Sequence, residues 1–426
     1  MRCGSMEQFV EVMLWVIYFF SLFFVTFWLM TSVTERTVTR RKKWTAWPAV
    51  SIIVPAYNEE RGIKDTLYSL IKLNYPRSLL EIIVVNDGST DATEEKVKEV
   101  TAAFPETTIK LLCQDKNKGK GAALNLGIAI AKGEYVICMD ADSIVADAQA
   151  LYQMLPYFSS PDIAAVLPCL KVGETKNLLQ KMQRYEYLVN MFYKELMGRL
   201  DCIKVTPGPF ALYRKDVIVK LGGFDEVFNR HLTEDLEIAL RLQQHQYKIV
   251  QTMDTIVLTI PPDNLRDFYR QRKRWYTGGL LNTLRYRKLL LNRKFGDFGL
   301  WEMPVTLLSG FIMVALLFSV LYYLARPLVE WWANLRSINF DVWTLLQQFR
   351  LDLSVLDLHY SLIFVGVTMA VASIFVLARS HVLTREKAFR YGAMPLVLYS
   401  LLYFLLLAVG WVLIFHDLAR NKEQRW

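Results

Sequence analysis

Hydrophobic residues fall into two kinds of segment along the chain. Short apolar runs alternate with amphipathic stretches from residue 49 to about residue 262, and much longer apolar runs lie on either side of this region. Alternating short strands and helices are typical of repeated βα units, whereas long uninterrupted runs are typical of membrane spans. The pattern therefore predicts an α/β domain placed between membrane-spanning segments.

The central region is predicted to form a doubly wound α/β sheet with helices on both faces. Its buried parallel strands are expected at four apolar runs: Val50–Val54, Ile82–Val85, Ile109–Leu112 and Tyr135–Ile137. Helices are expected between these runs, near residues 59–73, 91–103 and 119–131. Continuous apolar strands are typical of a parallel sheet that is covered on both faces. The region is long enough to have a hydrophobic core of its own.

The first membrane span is predicted at Phe9–Met30, which is long enough to cross a hydrocarbon core of roughly 30 Å. Its bulky aromatic residues, without a small-residue cleavage site, argue against a removed signal peptide. Basic residues follow at once and place that flank in the cytoplasm: Arg36, Arg40, Arg41, Lys42 and Lys43. Trp44 and Trp47 are expected at the membrane interface. The segment therefore predicts a signal anchor followed by a cytoplasmic domain.

Three further spans are predicted near residues 300–325, 358–379 and 391–415, after aromatic and basic interfacial helices at 264–298. The loop between the last two spans has the basic character of a cytoplasmic loop, with Arg379, Arg385, Lys387 and Arg390. Four spans would place both termini outside. The basic C-terminal residues Arg420, Lys422 and Arg425 disagree, so a re-entrant or miscounted last span stays open.

The composition indicates which kinds of molecule the protein is expected to bind. The 426 residues are 53% hydrophobic with a net charge of +9, which favours a membrane surface or phosphorylated substrates over nucleic acid. No nucleic-acid motif accompanies the basic residues, so we expect no nucleic-acid partner. The five cysteines are widely scattered without a CxxC pair, which predicts neither a disulfide framework nor a zinc site.

The most informative polar residues, Asp140 and Asp142, follow the fourth predicted strand and are separated by one residue. In an extended chain such residues point the same way, so both carboxylates can converge just past the strand. Ligands bind at the carboxyl ends of strands in open α/β sheets, and two hard oxygen ligands suit Mg²⁺ or Mn²⁺. An ordinary turn containing Asp and Ser would give the same local pattern.

Polar residues also follow the first two strands, at the same edge of the predicted sheet. The first strand runs into the segment from Pro55 through Tyr57 to Glu59, and the second runs into Asp87. Three such segments converging on one crevice predict a nucleotide site, in which Asp87 would accept hydrogen bonds from a base or ribose. Lys120, at the start of a helix, favours an anionic ligand. Each segment alone is equally typical of a turn or a helix N-cap.

Two later segments add candidate chemistry. Glu234 and Asp235 open an amphipathic helix after Thr233, which would be its N-cap; Asp235 would alternatively be a general base toward a hydroxyl. On the first interfacial helix, Trp275 offers a flat face to a sugar ring, and Arg272 or Arg274 offers a charge to a diphosphate. Trp and Arg are also ordinary membrane-interface anchors.

Taken in order, these motifs resemble the family 2 glycosyltransferases of the GT-A fold, over about residues 48–290. The resemblance is greatest to the processive membrane synthases of hyaluronan, chitin and poly-N-acetylglucosamine. The family's N-D-G-S motif matches Asp87, and its D-x-D motif matches Asp140 and Asp142. Its T-E-D motif matches Glu234 and Asp235, and its Q-x-x-R-W motif matches Gln271, Arg274 and Trp275. The acceptor-side G-P and Y-R block is similar to Gly208, Pro209, Tyr213 and Arg214.

The resemblance implies an inverting transfer of a sugar from a UDP-sugar, UDP-GlcNAc or UDP-Glc, to the hydroxyl of a growing β-linked polysaccharide. It implies a Rossmann-like GT-A domain with Mg²⁺ or Mn²⁺ on Asp142 and Asp140, and catalysis by Asp235 with Glu234. The implied nucleotide-sugar residues are Pro55, Tyr57, Glu59, Asp87, Lys120 and Asp140. The implied acceptor residues are Gly208, Pro209, Tyr213, Arg214 and Trp275, and the implied diphosphate residues are Gln271, Arg272 and Arg274.

The expected division of the chain is an anchor (1–47), a cytoplasmic glycosyltransferase domain (48–262), interfacial helices (263–299) and a C-terminal membrane region (300–426). We expect a multi-pass protein of the plasma membrane. A transferase that adds a single sugar to a membrane lipid or polyprenyl phosphate stays open as the alternative. The few predicted spans also leave open a partner subunit or a homodimer for export of the product.

Overall fold

The computed structural model describes residues 2–33, 41–227, 233–337, 339–340, 343, 360–387, 390 and 392–420. Arg36, Arg40, Lys422 and Arg425, whose charges entered the topology prediction, lie outside the described residues. The first residues of the span predicted near 358–379 also lie outside them. In the described part, an α/β domain is joined to long apolar helices.

The α/β domain is built on an eight-stranded mixed sheet with the strand order β3-β2-β1-β4-β7-β6-β8-β5. The strands are β1 (Val50–Ala56), β2 (Leu80–Asn86), β3 (Ile109–Cys113), β4 (Tyr135–Cys138), β5 (Ile144–Val145), β6 (Ile163–Val172), β7 (Ala211–Arg214) and β8 (Lys248–Thr259). Strands β1 to β4 are parallel neighbours, as predicted. Strand β7 is antiparallel to both β4 and β6, so the sheet is mixed where the pattern predicted parallel strands alone.

The α-helices of the described residues fall into two groups. Seven helices belong to the α/β domain: α2 (Ile63–Ile71), α3 (Thr93–Ala103), α4 (Lys120–Ile130), α5 (Ala150–Met154), α6 (Leu178–Arg199), α7 (Lys215–Lys220) and α8 (Glu234–Gln244). The others are α1 (Arg2–Val33), α9 (Leu265–Arg285), α10 (Met303–Ser337), α11 (Tyr360–Thr384) and α12 (Ala393–Ala419). The three helices predicted between the first four strands are confirmed as α2, α3 and α4.

Successive strand residues point to opposite faces of the sheet, so the apolar strands contribute side chains to two hydrophobic cores, one on each face. Ile52 and Ile82 belong to the core under α2 and α3, whereas Ile53 and Ile83 belong to the core under α4. Because both faces of the sheet are covered, neighbouring residues such as Ile52 and Ile53 are both apolar. Their carboxyl ends consequently open on one edge of the sheet.

Four stretches of the described residues are long and apolar enough to cross a membrane, namely Gln8–Val33, Phe298–Ser337, Gly366–Thr384 and Ala393–Asp417. They coincide with the four predicted spans. Helix α9 follows β8 and is amphipathic, with Phe268 and Arg272 on its buried side. Short helical turns then lead to α10.

Helix α6, which was not predicted from the sequence, joins the α/β domain to the long apolar helices. Phe192 and Leu196 of α6 pack with Trp28 of α1 and Val376 of α11 in one hydrophobic cluster. At its end, an Arg199 guanidinium nitrogen donates to the Thr31 carbonyl oxygen at 3.0 Å. The buried residues Met182, Tyr185, Leu188 and Phe192 follow helical spacing, a signal from which the helix could have been predicted.

The segment after the first span packs against the α/β domain. The Trp47 ring lies 4.7 Å from the Tyr152 ring, and the Trp44 ring lies 6.0 Å from that of Tyr135. Both tryptophans are partly buried and pack on the larger core. This packing is a second reason for tryptophan at these positions, and their place at the membrane interface stays a prediction.

The loop before α12 and the last turn of α12 are tied by ion pairs to α6 and α9. Before the helix, Glu386 pairs with Arg184 of α6, and the Lys171 ammonium donates to the Thr384 carbonyl oxygen at 2.5 Å. In its last turn, Asp417 pairs with Lys273 of α9. The loop between α11 and α12 therefore lies on the same side as the α/β domain.

Candidate active site

The acidic turn after β4 is held by helix α2. The Thr66 hydroxyl donates to the carbonyl oxygens of Ala141 at 2.8 Å and Ser143 at 2.9 Å. A Cβ at Gly62 would lie only 3.0 Å from the Ala141 carbonyl oxygen and from Asp142 Cα, so this approach requires glycine. The Ser143 hydroxyl donates to Asp142 Oδ1 at 3.1 Å. Asp142 is therefore fixed from both sides.

Three carboxylates repel one another at this turn. Burial and the neighbouring charge of Asp140 raise the pKa of Asp142. Burial, followed by the charges of Asp142 and Asp140, raises the pKa of Glu59 to about 7. Among the described residues, no group of three or more His, Cys, Asp or Glu side chains is arranged to hold a metal ion on its own. A cation here would need further oxygen ligands from a substrate.

Lys120 joins the two acidic motifs across the crevice. Its ammonium lies 2.6 Å from Asp140 Oδ1 and 2.9 Å from Glu234 Oε1. Burial acts to lower the pKa of Lys120, but the charges of Asp140, Glu234 and Asp235 raise it well above its ordinary value. The lysine is therefore charged and holds the start of α8 beside the end of β4.

Glu234 and Asp235 open α8 inside the crevice and are shifted in opposite directions. Burial, followed by the charge of Glu234, raises the pKa of Asp235 to about 6. Burial also acts to raise the pKa of Glu234, but Lys120 and then Arg274 reverse it to a net decrease. Two neighbouring carboxylates with separated pKa values are typical of an acid–base site.

The backbone around Asp235 is anchored to the loop before β7. The Thr206 hydroxyl and amide donate to the Asp235 carbonyl oxygen at 2.9 and 3.2 Å. The Leu236 amide donates to Asp235 Oδ1 at 2.8 Å. Thr233 occupies the N-cap position as predicted, but its side chain makes no cap hydrogen bond and instead accepts from Asn282 at 3.1 Å. The carboxylate of Asp235 is thus preorganised by its neighbours.

The turn at Gly208 and Pro209 closes over the ion pair. A Cβ at Gly208 would lie 2.4 Å from Asp140 Oδ1 and 2.5 Å from the Lys120 ammonium. Only glycine permits this approach, which explains the residue type at this position. Both residues of the turn are buried. The structure thus brings the predicted acceptor turn to the predicted donor carboxylates.

Asp87 occupies the same edge and organises the loop that precedes α4. Its carboxylate accepts hydrogen bonds from the amides of Lys118 at 2.8 Å and Gly119 at 2.9 Å, and from the Gln114 side chain at 3.0 Å. A base or ribose would therefore share an acceptor that is already used by the chain. Tyr57, beyond Pro55 at the end of β1, is 45% exposed and free of the core. The nucleotide-binding roles of these residues stay predictions.

Neither Tyr213 nor Arg214 presents its side chain to an acceptor sugar, which corrects their predicted role in acceptor binding. Tyr213 is 1% exposed and packs in the core under α4, behind the site, where its side chain hydrogen bonds to Thr206 and lies within electrostatic reach of Asp235 and Lys120. Arg214 pairs in register with Tyr135 at the beginning of β4, away from the end that carries Asp140. Its guanidinium donates to the Ile163 carbonyl oxygen at 2.9 Å. Both residues therefore stabilise the sheet.

The Q-x-x-R-W segment separates into two faces of α9. The charge of Arg274 acts on both Glu234 and Asp235, which places it toward the crevice. Arg272 is 1% exposed and paired with Glu186, which corrects its predicted contact with a diphosphate. Trp275 is partly exposed, and Gln271 has a buried side-chain oxygen without a hydrogen-bond partner among the described residues.

Comparison with known proteins agrees with this site. Residues 51–222 match the family model described as glycosyl transferase family 2. The chain carries a family 2 glycosyltransferase domain. The family predicted from the motifs is thereby confirmed, and the matched region includes the acidic turn, Lys120 and the Gly208 turn.

Curated relatives of the glycosyltransferase domain include synthases of one polysaccharide. The poly-β-1,6-N-acetyl-D-glucosamine synthase of Staphylococcus epidermidis is 28% identical over 271 residues, which cover 61% of this chain and 64% of that one. The synthase of Staphylococcus aureus (strain COL) is 30% identical, covering 65% and 64%. The probable glycosyltransferase YdaM of Bacillus subtilis is 30% identical, covering 64% and 66%. The chain thus matches a little under two thirds of each relative's length.

Among solved structures, the fold resembles the mannosyltransferase of Pyrobaculum calidifontis in complex with GDP-Man and Mn²⁺. The TM-score is 0.58 at 20% identity, over 80% of this chain and 95% of that one. At this identity the likeness concerns the fold. The predicted α/β fold of GT-A type, with apolar helices that could span a membrane, is confirmed.

Three charged or polar residues of α6 that act on α9 or on the candidate site were not predicted from the sequence. Glu186 pairs with Arg272. Burial raises the pKa of Tyr187, which also lies within electrostatic reach of Arg272, Asp142 and Asp140. Burial lowers the pKa of Lys194 to about 8, although the Asp235 charge acts to raise it. No short motif marks these residues, because their role follows from where α6 packs.

Proposed function

We propose that the protein is an inverting glycosyltransferase that moves a sugar from a UDP-sugar to the hydroxyl of a growing β-linked polysaccharide. The observation that carries this proposal is the pair of ionic contacts through which Lys120 joins Asp140 to Glu234, next to Asp235. These contacts support a single site in which the acidic turn acts on the donor and Asp235 acts on the acceptor. Of UDP-GlcNAc and UDP-Glc, the relatives named as N-acetylglucosamine synthases favour UDP-GlcNAc.

In the proposed mechanism, Asp235 is the general base. With a pKa of about 6 it is mainly ionised at neutral pH, yet basic enough to accept a proton. It takes the proton of the acceptor hydroxyl while that oxygen forms a bond to the anomeric carbon on the face opposite the diphosphate. The bond from the anomeric carbon to the diphosphate breaks, UDP leaves, and the configuration inverts. Lys120 holds Glu234 beside Asp235, where the negative charge of Glu234 adds to the effect of burial in raising the pKa of Asp235.

The acidic turn fits a divalent cation, Mg²⁺ or Mn²⁺. Burial, followed by the charges of the neighbouring carboxylates, raises the pKa of Asp142 and Glu59, and a bound cation would relieve the repulsion between these charges. Mg²⁺ is usually held by one or two carboxylates together with substrate phosphates, which agrees with the small donor set. Asp142, with Asp140, would hold the ion. When bound, it would supply positive charge to the leaving diphosphate.

The remaining roles are divided between two sides of the crevice. We propose that Pro55, Tyr57, Glu59 and Asp87 line the nucleotide-sugar side. Gln271 and Arg274 of α9 would contact the diphosphate. Gly208, Pro209 and Trp275 would contact the acceptor sugar, with the indole face stacked on the ring. The partly exposed position of Trp275 on α9 supports this assignment.

We further propose a multi-pass protein of the plasma membrane whose glycosyltransferase domain, residues 48–262, is cytoplasmic. The positive-inside rule, the basic segment at residues 41–43 and the four apolar helices support it. The contact of Glu386 with Arg184 supports a cytoplasmic loop between α11 and α12. Residues 263–299 would lie in the interface, and residues 300–426 would form the C-terminal membrane region. Export of the product would need a partner subunit or a second copy of the chain.

The test is to incubate membranes that contain the protein with labelled UDP-GlcNAc, UDP-Glc and GDP-Man, with Mg²⁺ or Mn²⁺, and to size the products. We expect a polysaccharide from UDP-GlcNAc that the chelator EDTA suppresses. A product that carries one sugar on a lipid would refute polymer synthesis and establish the single-transfer alternative. Transfer from neither UDP-sugar would refute the proposed donor.

A further inference from the structure

Arg272 of α9 is a fully charged residue in a buried position. Its side chain is 1% exposed, and its guanidinium carbon lies 4.9 Å from the Phe268 ring centre and 4.4 Å from that of Trp275. A buried cation requires a paired anion, because removing it from water is otherwise strongly unfavourable. The partners of Arg272 therefore determine where its guanidinium lies.

Those partners come from two other elements. A guanidinium nitrogen of Arg272 donates to Glu186 Oε2 of α6 and, at 3.4 Å, to the Tyr403 hydroxyl of α12. The Tyr403 hydroxyl in turn donates to Glu186 Oε2 at 2.9 Å. Glu186, Arg272 and Tyr403 form what we call the α6–α9–α12 cluster. It joins the glycosyltransferase domain, the interfacial helix and a membrane helix at one point.

The cluster acts on the face of α9 that carries Trp275. The guanidinium lies over the indole ring, where a cation is attracted to the ring and restricts its rotation. Glu186 is the anion that holds the guanidinium there. The donor-side carboxylates are held by other residues, since Lys120 binds Asp140 and Glu234, and Thr66 holds the acidic turn.

We propose that Glu186 is a positioning residue for the acceptor: through Arg272 it fixes the indole of Trp275 on which the acceptor sugar stacks, and through Tyr403 it ties that platform to the membrane helix α12. This inference rests on the proposed function. It assigns acceptor specificity to a contact that touches neither the donor sugar nor the reacting atoms. Removing Glu186 should therefore affect acceptor binding and leave donor chemistry intact.

The test compares Glu186→Gln with the native protein in detergent or membranes, using UDP-GlcNAc and a β-linked N-acetylglucosamine oligosaccharide. We expect the acceptor KM to rise by about ten- to a hundredfold, the effect of a misplaced binding group, and the product to shorten. The KM for UDP-GlcNAc and its hydrolysis without acceptor should change by less than about twofold. Tyr403→Phe removes one hydrogen bond to Glu186 and should raise the acceptor KM by a smaller factor.

Glu195→Gln is the matched control. Glu195 lies on the same helix, is buried, and pairs with an arginine, Arg199, far from Trp275. Its substitution should leave the acceptor KM unchanged. The double variant Glu186→Gln with Arg272→Gln separates positioning from folding, because it removes the unpaired buried charge. We expect it to recover the melting temperature of the native protein but not the acceptor KM.

The outcomes are distinguishable. If Glu186→Gln and Tyr403→Phe leave the acceptor KM unchanged, the positioning role is refuted. It is equally refuted if the double variant restores acceptor KM together with melting temperature, because the cluster would then be structural. If the native protein transfers no sugar to the oligosaccharide, the proposed function itself fails, and the inference fails with it.

Discussion

Replacing Asp235 with asparagine should remove the proposed base while preserving the crevice. The two side chains have the same shape, and the oxygen that accepts from the Leu236 amide is retained. Burial raises the pKa of Asp235 to about 6, so its ionised form is disfavoured in the folded protein. Any contribution of the protonated Asp235 carboxyl to the free energy of unfolding is fully present below about pH 4 and is lost as the pH rises through about 6. At neutral pH, Asp235→Asn should therefore be no less stable than the native protein.

The magnitude follows from the chemistry of a general base. Positioned proton transfer contributes roughly 10²–10⁴ to a rate, which corresponds to about 3–5 kcal/mol of activation free energy. We expect Asp235→Asn to lower kcat by that factor. In the native protein, burial raises the pKa of Asp235 to about 6, so the rate should fall about tenfold per pH unit below that value rather than below the ordinary value near 4. The residual rate of the variant should not show this decrease at low pH, which forms the acid limb of the pH profile.

The assay measures initial rates of sugar transfer between about pH 5 and 8, with UDP binding measured separately by calorimetry. Asp216→Asn is the control, because Asp216 is an exposed carboxylate in the first turn of another helix, α7. It should change neither quantity. Asp235→Asn with undiminished kcat, or with the acid limb intact, would refute the assignment of the base. Loss of UDP binding in step with kcat would show that the substitution had disturbed the donor side.

Two further substitutions test the donor side. Gly208→Ala would place a methyl group 2.4 Å from Asp140 Oδ1, so we expect about a hundredfold loss of transfer with little change in melting temperature. Its control is Gly279→Ala, in which the added methyl group meets no atom within 4 Å. A fully active Gly208→Ala protein would contradict this prediction, because it would show that the turn can move. Asp142→Ala should weaken Mn²⁺-dependent UDP binding by at least the roughly 10–100-fold seen when residues behind metal ligands are changed. An affinity that is equal to the native value with Mn²⁺, measured by calorimetry, would rule out a ligand role.

The sequence was sufficient to predict the strands that carry the site. Apolar runs followed by Asp or Glu indicate a strand end, and parallel strands bring their carboxyl ends to one edge. Asp140 was predicted on that basis and Lys120 from its place at the start of a helix, and the structure places the two side chains 2.6 Å apart. The antiparallel strand β7 was harder to predict, because four residues carry too short a pattern to distinguish a strand from a helix.

The direction of individual side chains could not be predicted in the same way. Arg272 and Arg274 are two residues apart on α9, so they point to different sides of the helix. Both are basic and lie beside Trp275, so the motif alone does not say which one faces the crevice. The answer depends on Glu186, which lies on another helix, 86 residues away in sequence. Tyr213 was misassigned for the same reason, since its burial follows from the register of β7 with β4.

The segment that follows the first span also indicates where a protein shortened at its N-terminus should begin. Arg41 pairs with Asp254 at 2.7 Å, and Trp44 and Trp47 pack on the larger core. A shortened protein that began at Ser51, where the family match starts, would uncover this part of the core to water and should aggregate more readily. Beginning at Arg41 keeps these contacts in place. Removal of α1 would still uncover Phe192 and Leu196 of α6, which pack with Trp28, so a protein without its first helix should need detergent.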